Sequence, residues 1–170
     1  MELGTGYNET EDGLRVELGL TWVKLPYRLE ERTQQTEDDT RRALDDAREH
    51  GMRVVVDLRT LGEYIHQRTD ENLNQMQADG LLEEISEDWP RAQIVAAMFR
   101  NQQLATLPVV EWFGDRCGEA AQSIGPWCDD FEIWGECGCP WVSGGAFNND
   151  VRVYSNYLAA ANRAIKEAHP

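Results

Sequence analysis

Glu136 ends the run Asp129-Asp130-Phe131-Glu132-Ile133-Trp134-Gly135-Glu136, a short apolar stretch that carries a carboxylate to its tip. A carboxylic acid held at a strand end, its pKa raised and a second carboxylate nearby, can donate a proton to a leaving oxygen. Two more segments bring charge to comparable positions. Arg53-Val54-Val55-Val56-Asp57-Leu58-Arg59 is nearly continuous in apolar residues until Asp57 and Arg59, and Leu20-Thr21-Trp22-Val23-Lys24-Leu25 carries Lys24. Side chains alternate between the faces of a strand. If Glu136 points to one side, so do Glu132 and Trp134, leaving Phe131 and Ile133 for a helix layer. The same alternation separates Val55, Asp57 and Arg59 from Val54, Val56 and Leu58, and Trp22 and Lys24 from Val23 and Leu25. Lys24, Asp57, Arg59, Glu132 and Glu136 are thereby expected at one mouth. Burying such a group is costly unless its members pair or serve a ligand. The readings are a binding site or a structural ion-pair layer, with Glu136 either an acid or an exposed loop carboxylate. Trp127, Trp134 and Trp141 would either stack on flat apolar ligand faces or pack as core and rim, Trp134 being the best stacking candidate.

The elements that must position these residues alternate between strand and helix. An apolar start at 1–7 precedes a weak amphipathic helix at 9–18, the strand at 20–25 stops at Pro26, and Thr36 is the expected N-cap of the next helix. That helix buries Ala43, Leu44 and Ala47, pairs Asp38 with Arg42 and Arg41 with Asp45 on its solvent side, and closes on Gly51. The all-apolar character of 53–58 before its charged tip marks a strand of a parallel sheet. Residues 60–107 form a helical insertion, after which Pro108 opens a helix with Val109, Phe113, Cys117, Ala120 and Ile124 on one face. A strand at 131–135 and a final helix at 150–167, with Tyr154, Leu158, Ala161 and Ile165 on one face, complete the pattern. The expected fold is α/β, of the (β/α) barrel type: a single unit over 1–170 with four βα units, equivalent to the N-terminal half of an eight-stranded barrel. A full barrel needs about 250 residues, so a C-terminal half, a second copy or a larger assembly would complete it.

Composition narrows the partners. With 31 acidic and 16 basic residues the net charge is −15, which repels phosphate backbones and argues against nucleic acid, while a neutral or cationic partner fits. The same acidity also suits a solvated surface in a salty medium. No apolar run is long enough to span a membrane, and Met-Glu-Leu-Gly lacks the parts of a signal peptide. The compartment stays open between extracellular and virion-associated settings. The four cysteines match no common zinc spacing, so neither a metal nor another cofactor is expected. Cys128 with Cys137 or Cys139 is the candidate disulfide, whereas Cys117 lies on an apolar helix face as a buried thiol. Asn8-Glu9-Thr10 is a glycosylation sequon by pattern.

Gly19-Leu20-Thr21-Trp22-Val23-Lys24-Leu25-Pro26, Val54-Val55-Val56-Asp57-Leu58-Arg59 and Phe131-Glu132-Ile133-Trp134-Gly135-Glu136-Cys137 resemble, in order and spacing, the second, third and fourth strands of the clan A glycoside hydrolases, the barrel group that includes cellulase-like family 5 enzymes. The last helix, 154–170, is similar to the one that follows. The resemblance runs from about Gly4 to the C-terminus, and only the fourth-strand motif is specific. It implies a retaining O-glycosyl hydrolase with Glu136 as acid/base and with Lys24, Asp57, Arg59, Glu132 and Trp134 binding a polysaccharide. Its nucleophile would come from a seventh strand that is not in this chain. Lys24 stands where the family usually has Arg, Arg59 where it has His, Gly135 where an Asn holds the sugar 2-hydroxyl, and Cys137 where it has Pro. The alternative implied is a non-catalytic carbohydrate-binding or structural module, such as a virion component, derived from a glycosidase barrel.

Overall fold

The computed structural model describes residues 21–60, 62–79, 108–135 and 151–170. Strands β1 (Trp22–Arg28), β2 (Arg53–Arg59) and β3 (Asp130–Ile133) form a parallel sheet in the order β1-β2-β3, with helices α1 (Gln34–Glu49), α2 (Gly62–Ala78), α3 (Pro108–Ile124) and α4 (Val151–Ala168). This is an α/β fold with a partial run of βα units. The strand and helix expected at 1–7 and 9–18 lie outside the described residues, as does 80–107, most of the expected insertion.

Alternation sorts the strand residues as their sequence suggests. Val23, Leu25, Tyr27, Val54, Val56, Leu58 and Ile133 are buried on one face and join the helices in a single core. The other face, uncovered among the described residues, carries exposed Trp22, Pro26 and Arg28 and half-buried Lys24, Val55, Arg59 and Glu132. The exception there is Asp57, 2% exposed. Pro26, expected to stop β1, lies within it. Proline is tolerated on an edge strand, where its missing N–H breaks no ladder, and β1 has a described neighbour only in β2. Asp129 guides β3 into register: its Oδ2 accepts from Val54 N–H at 2.7 Å, and its own N–H donates to Val54 O at 2.9 Å.

Helix α1 begins one turn earlier than expected. Thr33, not Thr36, is the N-cap: Thr33 Oγ1 accepts from Thr36 N–H at 3.1 Å, and Thr36 Oγ1 accepts from Thr33 N–H at 2.9 Å, a reciprocal capping box. Its surface pairs also form one residue closer than expected, Arg41 with Asp38 and Arg42 with Asp39, both at i,i+3. Ala43, Leu44 and Ala47 are its buried stripe. The helix ends in a Schellman motif, with Gly51 N–H on Arg48 O and Met52 N–H on Ala47 O, and Gly51 at φ +71° supplies the left-handed residue.

Helix α3 is the core element, with Val109, Phe113, Cys117, Ala120 and Ile124 all 1% exposed or less. Asn72 of α2 caps its first turn by accepting from Val109 N–H at 2.9 Å, and Arg68 of α2 sits 4.6 Å over the Trp112 ring. On the other flank α4 comes very close. A Cβ at Gly114 would lie 3.0 Å from Ala160 Cβ and 3.1 Å from Ala160 backbone, and one at Gly118 would lie 3.1 Å from Ala164 Cβ. The face of α4 is the expected one at Ala161, which is buried, and at Tyr154 and Ile165, which pack partly buried against the core, but it departs at Leu158. Tyr157, Ala160 and Ala161 are buried while Leu158 is 40% exposed, because the Gly114/Gly118 groove receives the small residues.

Candidate functional site

On the uncovered face the register places Lys24 beside Val55, Asp57 beside Glu132, and Arg28 beside Arg59. The Lys24 ammonium reaches over β2 to Glu132 Oε2 at 3.2 Å. Arg59 Nη2 stands 3.1 Å from Asp57 Oδ2, and Gly135 N–H donates to Asp57 Oδ1 at 3.1 Å. Three strands thus bring Lys24, Asp57, Arg59 and Glu132 together under the chain that leaves β3. The approach is tight because residue 135 has no side chain. A Cβ there would lie 2.8 Å from Lys24 Nζ, 3.0 Å from Glu132 Oε1 and 3.2 Å from Asp57 Oδ2.

Exposure divides the four. The side chains of Lys24, Arg59 and Glu132 are 22%, 25% and 36% exposed, so a ligand can touch them, whereas that of Asp57 is 3% exposed. Burial raises the Asp57 pKa, and nearby Glu132 raises it further, against the opposing pull of Arg59, the Gly135 N–H and Lys24. Asp57 therefore holds Arg59 and the Gly135 backbone in place rather than meeting a ligand itself. At the tip of β2, Arg59 Nε and the buried Thr60 Oγ1 have no hydrogen-bond partner among the described residues.

Trp134 leaves the placement expected for it. It is 1% exposed, on the helix side, stacked on Phe113 at 4.5 Å and edge-on to Tyr157 at 5.6 Å. Alternation fails because β3 ends at Ile133 and Trp134 turns left-handed, with φ 51°, so that two consecutive side chains enter the core. Its backbone N–H donates to Leu58 O and its indole Nε1–H to Thr60 O. No face of that ring is open to a sugar. Trp127 packs against the core with Arg41 over its ring at 5.6 Å. Glu136 and Trp141 lie outside the described residues, as do Cys137 and Cys139. Cys117 is a buried free thiol whose pKa burial raises; Cys128, also free and half-buried, is pushed up to about 12 by burial and by Asp129 and Asp130.

Sequence reasoning missed Arg28. Its signal was present, since Arg28 continues the alternation of Trp22 and Lys24 once Pro26 is allowed inside the strand. It also missed a second charged cluster, on the helix side. Arg32 bridges Glu37 at 2.5 Å and Glu119 at 2.6 Å, Arg41 Nη2 lies 3.6 Å from Glu37, and Ser123 Oγ–H donates to Glu37 Oε2 at 2.9 Å. Burial pushes the Glu37 pKa up, but hydrogen bonds from Arg32 and Ser123 and the charges of Arg32 and Arg41 outweigh it, and the net shift is downward. This cluster ties α1 to α3.

Among the described residues no group of three or more His, Cys, Asp or Glu could hold a metal ion, and no helix is long and apolar enough to cross a membrane. Comparison with family models, curated proteins and solved structures finds no match.

Proposed function

We propose that the chain is a glycoside hydrolase-like domain, half of a (β/α) barrel, that acts on or binds a polysaccharide at the C-terminal edge of its sheet. One observation carries the reading: three successive parallel strands send Lys24, Asp57, Arg59 and Glu132 to one face, on which no described helix packs, beneath the Gly135 that precedes Glu136. Barrel enzymes keep their chemistry at that edge. In this reading Glu136 protonates the glycosidic oxygen, and Lys24, Arg59 and Glu132 hold sugar hydroxyls. The nucleophilic carboxylate that a retaining mechanism requires, roughly 5 Å from the acid, comes from a completing C-terminal half; a second copy could close the barrel but would set its Glu136 opposite the first, the wrong geometry for that mechanism.

The non-catalytic alternative has its own support. Gly135 offers no side chain for a 2-hydroxyl, Trp134 is closed to stacking, and Lys24 and Asp57 already have partners of opposite charge. A carbohydrate-binding or assembly module needs nothing more. Reducing-sugar release from a panel of glycans, with Glu136→Gln as control, separates the two. Release that the substitution abolishes supports the hydrolase. Binding of the same glycans without release supports the module, and equal release by both proteins excludes Glu136 as the acid.

A further inference from the structure

We draw no further inference here: the strongest candidate, the apolar patch of Trp22, Pro26 and Val55 on the open face of the sheet, has no described helix packed on it, and nothing in the structure shows what covers it.

Discussion

Asp57 and Glu37 each stand between two cations, Arg59 and Lys24 for the one and Arg32 and Arg41 for the other, yet their proton affinities move in opposite directions. The difference is in what else touches them. Glu37, with 15% of its side chain exposed, accepts hydrogen bonds from Arg32 and Ser123. Asp57, 3% exposed, has Arg59 and a single backbone N–H but also the like charge of Glu132 beside it. On the helix side the donors outweigh burial, and the carboxylate fastens two helices. On the open face burial outweighs the donors, so the fold carries an ionisable group under tension, the pattern found where carboxylates serve a site.

The largest expected break in this contrast comes from Arg59→Met. Removing one partner of a buried pair strands the other, and a loss of about 3 kcal/mol is expected in urea denaturation, most of it recovered in the Arg59→Met/Asp57→Asn double variant. No recovery would mean that Asp57 is not the group being strained. Glu37→Gln should cost about 1–2 kcal/mol at pH 7, the value of its charge-assisted hydrogen bonds, in the same measurement.

The pH dependence sharpens the comparison because the two signs differ. Glu37 has a native pKa below 4.5; its contribution is present above that value and is lost as pH falls through the native pKa. Asp57 has a native pKa above 3.8, so the folded state binds the extra proton. Its contribution is present below 3.8 and is lost as pH rises through the native pKa. Thermal melts from about pH 2 to about pH 8 should therefore show Glu37→Gln flattening the acid limb and Asp57→Asn flattening a decline on the other side of it. Both variants flattening the same limb would end the contrast. The smallest effect is expected for Lys24→Met, whose pair with Glu132 is solvent-accessible: under about 1 kcal/mol of stability, read by the same denaturation.

Much of this arrangement could be read from residue order. Val54, Val56 and Leu58 facing the core with Asp57 and Arg59 at a strand tip is a period-two pattern that burial enforces. The convergence of Lys24 and Glu132 follows from parallel register. Trp134 could not be read, because alternation holds only while the strand continues and nothing in Ile133-Trp134-Gly135 announces a left-handed tryptophan. Thr33 and Thr36, three residues apart, each fit an N-cap; the choice fell to Thr33 through a capping box that uses both hydroxyls. Leu158 lost its place to Tyr157 and Ala160 because Gly114 and Gly118 open a groove that admits alanine, a tertiary cause that helical periodicity alone does not contain. Glu37 was hidden by its partners, Ser123 lying more than eighty positions away in the chain.

The hydroxyl of Tyr154, in the first turn of α4, donates to Ile133 O at 2.8 Å, at the last residue of β3. The chain thus departs from one point at the sheet edge and returns to it, and both ends are held by bonds that do not involve 136–150. Closing a segment whose ends are already together depends only weakly on its length, each doubling costing about 0.6 kcal/mol. The Tyr154–Ile133 bond therefore acts as a clasp: it fixes the end of β3 to the start of α4 directly, so that the entropic cost of joining strand to helix is met by the two elements themselves.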